Sequence, residues 1–512
     1  MNKLLIPLVI VQLLAATGLQ AQLPDLPIIK DSLYSAVLKE MRPLEIVLPA
    51  NYSTEPGKKF DALYVTDGEW NTRIVSNIRQ FLNIQFIPEN IIVSIPNVYP
   101  NKMNQRGRDF TPTHTSGMAE SGGAEKFLSF IKTELLPYIN NKYRTNGENT
   151  LYGSSLGGIF AMYAFCKEPQ LFQSYLMADP AWWWDNNYIS RLVKENLDKL
   201  AAMNKTVLIT GREGAPYHYM GIATVDTILA AARTKGAHWK TMLYNDETHN
   251  AMIFRTIYDG LKYTYSGYMK ENFGFHPMNG MVLPNKPVTL RLNNTESFKN
   301  LRYTTDGSQP TPTSPVITAD TLVINSAAQL TIKSFSNREM YSKTITGNFK
   351  PVTVALTAAA TSKNAVPGGW KFSYYEGGWD SLPDFKRLQP LQTGLAGKDF
   401  SINKLPKQQN FACLLEGQLE IKTDGYYIFG IDADGGAKLS LGNALLIDYN
   451  GIHSSGNFQS YIVPLAKGFY PVRIEYFQKE ANPSLNLMYI TPESNDPKPI
   501  PLELQYSAVK KM

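Results

Sequence analysis

The sequence predicts a protein of several domains, in which a doubly wound α/β domain with a mostly parallel sheet precedes two all-β modules. The chain has 512 residues, which is too long for one ordinary domain. Apolar strand-like runs alternate with helical patterns up to about residue 272, and helical periodicity disappears after Phe275. The net charge of +6 is small and no basic block is present, so we expect no nucleic-acid partner.

The first 21 residues have the form of a secretory signal peptide. Lys3 precedes an apolar run from Leu4 to Ala16, and a small-residue cleavage site ends at Ala21. The run is shorter than the roughly 20 residues that a bilayer-spanning helix needs. We therefore expect an exported protein, periplasmic or extracellular, with no integral membrane segment after the signal is removed.

Residues 22–275 carry the α/β pattern. The runs that predict strands are LEIVLPANY, DALYVTDG, NIIVSIPNV, NTLYGSS, SYLMADP, TVLITGRE and HWKTMLYND. The runs that predict helices are GAEKFLSFIKTELLPYINNKY, GGIFAMYAFCKE, ISRLVKENLDKLAAM and VDTILAAARTKG. Several strands are apolar throughout, which is typical of a parallel sheet covered by helices on both faces.

The remaining chain shows short alternating strands separated by Gly, Asn, Asp and Pro turns, a pattern that predicts β-sandwich or barrel modules. A small-residue stretch near 350–367 separates two such segments. We place the modules at residues 276–352 and 353–512.

The stretch NTLYGSSLGGIF holds the strongest chemical signal. Gly153 and Gly157 lie two residues before and after Ser155, which fits the G-x-S-x-G turn between a strand and a helix. Side chains at the outer positions would collide across that turn. Ser154 would have Tyr152 and Leu156 there, so the spacing selects Ser155 as the nucleophile.

A serine nucleophile needs a histidine base, which an acid orients. His249 follows the last predicted strand of the domain, where such a histidine is expected. Glu213 follows the preceding strand at the carboxyl edge of the sheet and is our choice of acid. Asp226 and Asp179 remain alternatives.

The oxyanion hole requires two backbone N–H groups. One is expected from Leu156, the residue after the nucleophile. The other is expected from the loop after ALYVTDGEW, at Gly68 or Glu69. Such donors stabilise the charge that develops on the carbonyl oxygen.

Two further stretches are predicted to bind substrate. In DPAWWWDN, three consecutive tryptophans cannot all face a core, and we expect Trp182 and Trp183 to line the cleft. In NQRGRDFTPTH, Arg106 and Arg108 could clamp an anionic group, although an Arg–Asp pair that orders the loop with Asp109 is the commoner arrangement.

With these residues assembled, the first domain resembles the putative-esterase family of α/β-hydrolases, which includes esterase D-like, enterochelin and feruloyl esterases. The pieces that carry the resemblance, in family order, are LYVTDGEW, RGRDFTPT, YGSSLGGIFAMYA, DPAWWWDN, LITGREG and DETHNAM. The resemblance implies a Ser–His–acid triad at Ser155, His249 and Glu213. It implies no cofactor and no metal.

The later segments resemble two other modules. YTTDGSQPT is similar to a turn of the chitobiase C-terminal-type β-sandwich, and GQLEIKTDGYYIFGIDADGGAKLSLGNALLID is similar to the protective-antigen-type lectin-like β module. Asp432 and Asp434 could offer calcium ligands, but they fit an ordinary acidic turn equally well. The last module could bind carbohydrate or serve as a spacer.

The sequence thus predicts a secreted serine ester hydrolase. The appended β modules favour acetyl or feruloyl esters on a polysaccharide or oligosaccharide as substrate. A periplasmic siderophore esterase that opens an enterobactin-type trilactone is the alternative. A protein of another class, a non-catalytic glycan-binding surface protein, is the third possibility.

Overall fold

The computed structural model describes residues 26–233, 238–270, 273–293, 300–358, 365–398 and 400–508, so the predicted signal peptide lies outside the described residues. The chain divides into two units. The first comprises Met1–Lys270 with Ser336–Tyr341, and the second comprises Glu271–Phe335 with Ser342–Met512.

Within the described part of the first unit, eight strands form one mixed sheet in the order β1-β2-β4-β3-β5-β6-β7-β8. Neighbours from β4 to β8 are parallel, whereas β1 and β2 are antiparallel to each other and β2 is antiparallel to β4. The strands are β1 Ile29–Ser35, β2 Glu40–Val47, β3 Phe60–Thr66, β4 Asn90–Ile95, β5 Thr145–Ser154, β6 Ser174–Ala178, β7 Thr206–Arg212 and β8 Trp239–Tyr244.

Helices cover both faces of this sheet. They are α1 Gly68–Leu82, α2 Arg106–Phe110, α3 Ala124–Phe130, α4 Leu136–Lys142, α5 Leu156–Lys167, α6 Trp184–Ala201, α7 Ala215–Tyr219, α8 Ile222–Arg233 and α9 Met252–Thr264. On one face α1 and α9 contribute Val75 and Ile257 to a core. On the other face Phe127, Phe160 and Val225 of α3, α5 and α8 belong to a second core. The doubly wound, mostly parallel architecture is confirmed.

The second unit is built from strands, as predicted. They are β9 Gly274–His276, β10 Asn279–Val282, β11 Val288–Asn293, β12 Leu301–Thr304, β13 Thr321–Ile324, β14 Ala328–Ser334, β15 Thr344–Pro351, β16 Ala365–Pro367, β17 Trp370–Glu376, β18 Gln392–Ala396, β19 Phe411–Ile421, β20 Gly425–Ala433, β21 Gly436–Leu441, β22 Ala444–Tyr449, β23 Gln459–Leu465, β24 Gly468–Gln478, β25 Leu485–Ile490, β26 Lys498–Pro499 and β27 Gln505–Ala508. One of its sheets runs β12-β14-β15-β10-β23-β20-β25-β26, so strands from both predicted β segments share that sheet.

The parallel strands of the first unit bring three polar residues to one sheet edge. Asp67 follows β3, Ser155 follows β5 and Asp179 follows β6, and each stands directly after the last strand residue. Because the carboxyl ends of parallel strands meet at the same edge, this edge is where the fold assembles a site.

Candidate active site

Four residues with a positive φ lie at the carboxyl edge of the first sheet. Asp67, Ser155 and Asp179 have φ of 55°, 56° and 40°, and Asp246 after β8 has φ of 55°. Residues with a side chain rarely adopt this left-handed region, and those that do are held there by their surroundings. Such residues cluster at functional sites, so the strain marks this edge as the candidate site.

Ser155 stands at the apex of the sharp turn between β5 and α5, with φ 56° and ψ −114°. A Cβ added at Gly153 would lie only 2.0 Å from the carbonyl oxygen of Gly157, which is the steric reason for glycine at the outer positions of the motif. The Ser155 N–H donates to the Ala178 carbonyl at 2.9 Å, which fixes the turn to β6. Ser155 is half-buried, whereas Ser154 is buried.

His249 lies in the loop between β8 and α9, as the sequence predicts. Its Nδ1 is 2.6 Å from Oδ2 of Asp179, a residue 70 positions earlier in the chain. The Asp179 side chain is fully buried, whereas 37% of the His249 side chain is exposed. A carboxylate at Nδ1 favours the tautomer with its proton on that nitrogen, which leaves Nε2 available to accept a proton.

The choice of Glu213 as the acid is corrected by this geometry, because Asp179 is the carboxylate at His249. Glu213 is exposed, and its backbone N–H donates to the Tyr244 carbonyl at 3.0 Å. Arg212, the last residue of β7, is the side chain of this strand end that contacts Asp179.

Asp226, the other alternative, also lies elsewhere. Its Oδ2 accepts a hydrogen bond from the Tyr217 hydroxyl at 2.8 Å, and its Oδ1 accepts one from Thr241. These bonds tie α8 to α7 and β8. The Asp226 carboxylate therefore stabilises the packing of these elements and does not contact His249.

Arg212 is a site residue that the sequence analysis missed. Its Nε donates to Oδ2 of Asp179 at 2.7 Å, so one carboxylate oxygen is bonded to both Arg212 and His249. Desolvation lowers the pKa of Arg212, but the hydrogen bond and charge of Asp179 outweigh it and raise the pKa above its ordinary value. The sequence feature that could have identified Arg212 is a charged side chain at the end of a buried strand.

The two predicted oxyanion loops are the first turns of α5 and α1. Leu156 begins α5 and Gly68 begins α1, and the first N–H groups of a helix have no partner within the helix. A Cβ added at Gly157 would lie 2.7 Å from Oγ1 of Thr66, so the start of α5 approaches the end of β3 closely. The carboxylate of Glu69 accepts hydrogen bonds from Asn97. The assignment of the hole to these N–H groups remains a prediction.

Arg106 holds the α1 loop beside the nucleophile turn. Its Nε and Nη2 donate to the two carboxylate oxygens of Asp67 at 2.7 and 3.0 Å, and Nη2 also donates to the Ser154 carbonyl at 2.9 Å. Burial raises the pKa of Asp67, and the charge and hydrogen bonds of Arg106 partly offset the effect. The guanidinium is thus engaged by the protein itself, and its predicted contact with an anionic substrate stays a prediction.

Arg108 does not act as the predicted clamp, because it belongs to a structural ion-pair cluster. It contacts Glu40 at 2.6 Å and Asp109 at 2.8 Å. Arg42, which is buried, contacts the same two carboxylates. The cluster joins β2 to α2, in line with the Arg–Asp pairing that the sequence offered as the commoner arrangement.

The three tryptophans divide between core and surface. Trp182 is fully buried, and its indole N–H donates to the Gly158 carbonyl at 3.3 Å, so the prediction that it lines the cleft is wrong. Trp184 is also buried and donates to Thr113. Trp183 is 49% exposed and is the one of the three that a ligand can reach.

Comparison with known protein families supports the interpretation of this edge. Residues 35–228 match the family described as Putative esterase. This part of the chain belongs to that family. The matched residues include Ser155 and Asp179 of the esterase domain, and His249 follows the matched range.

Relatives of the esterase domain include proteins with siderophore names. Siderophore triacetylfusarinine C esterase of Aspergillus fumigatus is 29% identical over 131 residues, which are 24% of this chain and 45% of that protein. Ferri-bacillibactin esterase BesA of Bacillus subtilis is 36% identical over 95 residues, 16% of this chain and 33% of that protein. The chain therefore spans less than half the length of either relative.

Among solved structures, an IroE-like serine hydrolase from Shewanella oneidensis is similar to this chain. It is 32% identical with a TM-score of 0.42, and the match covers 46% of this chain and 80% of that one. In the part of the chain that the structure describes, no helix is long and apolar enough to cross a membrane.

Residues 383–503 match the PA14 domain, as the resemblance to a protective-antigen-type module implied. Asp432 of this domain accepts a hydrogen bond from the Gly456 N–H at 2.7 Å, and Asp434 accepts one from Gln478 at 2.7 Å. Among the described residues no group of three or more His, Cys, Asp or Glu side chains could hold a metal ion. The two carboxylates thus fit the ordinary acidic turn.

Proposed function

We propose that the chain is an exported serine ester hydrolase in which Ser155, His249 and Asp179 form the catalytic triad. The observation that carries the proposal is the 2.6 Å contact between His249 Nδ1 and the buried Asp179, at the edge where Ser155 occupies a strained turn. Export is inferred from the signal-like first 21 residues.

The triad would work in two half-reactions. Oγ of Ser155 attacks the ester carbonyl carbon while Nε2 of His249 takes the hydroxyl proton. The carbon–oxygen bond to the alcohol then breaks, and His249 returns the proton to the departing alkoxide. Water repeats the sequence on the acyl-enzyme and releases the acid and free Ser155.

Asp179 and Arg212 would prepare His249 for both proton transfers. Asp179 keeps the proton on Nδ1 and stabilises the imidazolium that forms during each attack. Arg212 donates to the same carboxylate oxygen and fixes its position. The negative charge on the substrate oxygen would be received by N–H groups at Leu156 and in the Gly68–Glu69 turn, in the positive field of two helix N-termini. No step requires a cofactor.

For the substrate we propose the ester backbone of a siderophore. The names of relatives from three organisms, among them siderophore enterobactin esterase of Emericella nidulans, support this class. The earlier preference for acetyl or feruloyl esters on polysaccharide rested on the appended β modules alone, and the relatives favour the trilactone alternative over it.

The test is hydrolysis by the full chain of a cyclic trilactone siderophore, with and without iron, followed by liquid chromatography and mass spectrometry. We expect ring-opened linear products with the wild type and none with Ser155→Ala. Ser154→Ala is the matched control and should retain turnover, because its side chain takes no part in the chemistry.

Two polysaccharide arms complete the test: acetylated xylan and a feruloylated arabinoxylan oligosaccharide. Faster release of acetate or ferulate than of linear siderophore would reject the siderophore proposal. If the wild type and Ser155→Ala are equally inert on every ester, the hydrolase proposal fails, and a non-catalytic role is favoured.

A further inference from the structure

One side of the esterase unit, formed by α1 and α9, exposes several large apolar side chains. Ile74 and Phe81 are seven residues apart, which places them on one side of α1, and Ile84 follows the end of this helix. On α9, Phe254 is 53% exposed. The solvent side of a surface helix is ordinarily polar, so this side departs from the usual pattern. The apolar residues of this side, which we call the α1–α9 face, are Ile74, Phe81, Ile84, Phe86, Phe254 and Tyr258.

The aromatic rings of the α1–α9 face contact one another across the two helices. The ring centres of Phe81 on α1 and Tyr258 on α9 are 6.4 Å apart. Phe254 stacks on the same tyrosine, with ring centres 6.3 Å apart and the planes nearly parallel. These rings therefore form one continuous patch. A group of neighbouring exposed apolar side chains marks a surface that another molecule covers.

A lysine lies within this patch. Nζ of Lys262 on α9 is 4.7 Å from the ring centre of Phe86 and 4.9 Å from that of Tyr258. Among the described residues no carboxylate forms an ion pair with Lys262. A second cation borders the patch, because Nζ of Lys270 donates to the Ile84 carbonyl at 3.0 Å. The α1–α9 face thus combines aromatic rings with positive charge.

The carboxylates of the two helices have partners away from Lys262. Glu69, the acidic residue of α1, accepts a hydrogen bond from the Asn97 amide at 2.8 Å. Asp259, the acidic residue of α9, accepts one from the Tyr244 hydroxyl at 2.6 Å. The positive charge of Lys262 is therefore left for a partner outside the protein.

The position of Lys262 indicates which partner fits. A second copy of the chain, docked through the same face in a two-fold dimer, would cover two lysines without providing a carboxylate for either, which is costly. An anionic lipid surface provides phosphate groups for the lysine and an apolar region for the rings. Lysine side chains beside inserted rings extend to the headgroup level. Charge complementarity thus favours a membrane over self-association.

We propose that the α1–α9 face is a peripheral docking site for an anionic phospholipid membrane. The rings of Phe81 and Phe254 enter the boundary between headgroups and acyl chains, and Lys262 contacts lipid phosphates. The inference goes beyond the proposed ester hydrolysis and does not rest on it, because binding to lipid requires no turnover.

The test is flotation of the full chain with lipid vesicles in a density gradient. Vesicles of phosphatidylglycerol and phosphatidylcholine in equal parts present the anionic surface, and vesicles of phosphatidylcholine alone present a neutral one. We expect the wild type to bind the mixed vesicles about fivefold or more tightly than the neutral ones. Binding to the mixed vesicles should weaken as the salt concentration rises, because salt screens the lysine charge.

Variants of the face separate the two contributions. Phe81→Ser and Phe254→Ser should each weaken binding to the mixed vesicles about five- to tenfold, since the ring no longer leaves water. Lys262→Glu should weaken it about tenfold. Met41→Ser, at a residue of β2 that is 52% exposed, is the matched control for the rings. Lys194→Glu, at an exposed position of α6, makes the same change in net charge elsewhere. Both controls should bind within about twofold of the wild type.

Failure of the wild type to bind mixed vesicles would overturn the proposal, as would equal losses in the face variants and the controls. Sedimentation equilibrium without lipid tests the second copy as the occupant. A wild-type dimer that Phe81→Ser dissociates would overturn the membrane in favour of self-association. Melting temperatures close to that of the wild type show that the variants fold, and Ile84→Ser replaces either ring variant that does not.

Discussion

Asp179 combines burial, backbone strain and two hydrogen-bond partners in one side chain. It has φ of 40°, is fully buried, and accepts hydrogen bonds from His249 and Arg212 through the same oxygen. Its Oδ1 has no hydrogen-bond partner among the described residues. An arrangement of this kind fixes the carboxylate in place for one task, the orientation of the imidazole.

Replacing Asp179 by Asn tests that task. The amide can donate to Nδ1 and so favours the wrong tautomer of His249, and we expect kcat to fall about 10³- to 10⁴-fold with little change in KM. Glu213→Gln is the matched control and should stay near the wild type. Steady-state kinetics on any ester that the wild type cleaves measures both, and a larger loss in Glu213→Gln than in Asp179→Asn would restore Glu213 as the acid.

Gly153 offers a second residue-scale prediction. A methyl group at this position would meet the Gly157 carbonyl oxygen at 2.0 Å, so Gly153→Ala must displace the nucleophile turn. We expect a loss of about 2–3 kcal/mol in the free energy of unfolding, measured by urea denaturation. Gly57→Ala is the control, since nothing lies within 4 Å of its added methyl. Equal stabilities of the two variants would contradict the account of the turn.

For single residues, the sequence predicts where a functional residue lies along the chain better than it predicts which side chain that residue contacts. Ser155 is predictable because the glycine spacing reflects a local steric requirement, and His249 because strand order places it after β8. Asp179 is not selected because several carboxylates follow strands, and only side-chain direction distinguishes them. Trp182 is wrongly assigned to the cleft for the same reason, since three adjacent tryptophans look alike in a sequence.

At the scale of secondary-structure elements, four charged side chains join β2 to α2. Glu40 and Asp109 lie between the guanidinium groups of Arg42 and Arg108. Burial raises the pKa of Glu40, but the hydrogen bonds and charges of Arg108 and Arg42 outweigh it, so the pKa lies below its ordinary value of 4.5. The ionised form of Glu40 is therefore favoured by folding.

Because the pKa of Glu40 is lowered in the folded protein, the stability of the protein should depend on pH. The stabilisation by Glu40 is fully present above the unfolded-state pKa near 4.5 and is lost as the pH falls through the lower folded-state value. Glu40→Gln should cost about 1 kcal/mol at pH 7, and the difference should shrink below pH 4.5. Melting temperatures of both proteins between pH 3 and 7 measure it. A difference that grows on acidification would contradict the sign.

Strands and helices are predicted well where a local sequence pattern is sufficient to identify them. All seven predicted strands of the first domain form, and those that are buried along most of their length, such as β3, β4 and β6, appear as nearly continuous apolar runs. The sequence analysis did not identify β1, α1, α2, α7 or α9. The strand β1 mixes exposed and half-buried residues, and its position at the sheet edge leaves only a weak pattern. The helix α1 begins two residues after β3, so its first turn resembles the end of the strand run.

For the whole molecule, the segment Ser336–Tyr341 belongs to the first unit although the surrounding chain belongs to the second. The hydroxyls of Tyr341 and Tyr265 both donate to the buried carboxylate of Asp61 at 2.6 Å. Arg338 is buried and contacts Glu148 at 2.9 Å. The esterase unit is thus completed by residues that lie more than 60 positions beyond its predicted end at residue 275.

Truncation after residue 275 should therefore destabilise the esterase unit, because the buried Asp61 and the half-buried Glu148 lose partners. Tyr341→Phe in the full chain isolates one bond and should cost about 1–3 kcal/mol. Tyr34→Phe, at an exposed position, is the control and should cost nothing measurable. Urea denaturation of the three full-length proteins measures this, and an unchanged midpoint for Tyr341→Phe would contradict it.

The sequence could not reveal this arrangement, nor the sheet that strands of both β segments share. In that sheet β10 pairs with β15 of its own segment and with β23 of the next, parallel to each. Such pairings join residues far apart in the chain and leave no local periodicity. The change from α/β to all-β texture near residue 275 is visible because it is local.

The most direct test of the central claim is labelling of the full chain by a fluorophosphonate, which reacts with an activated serine, followed by peptide mass spectrometry. The account predicts one adduct, on Ser155, that is absent in Ser155→Ala, forms far more slowly in His249→Ala and Asp179→Asn, and forms at the wild-type rate in Glu213→Gln. An adduct on Ser154, or no adduct on the wild type, would contradict it.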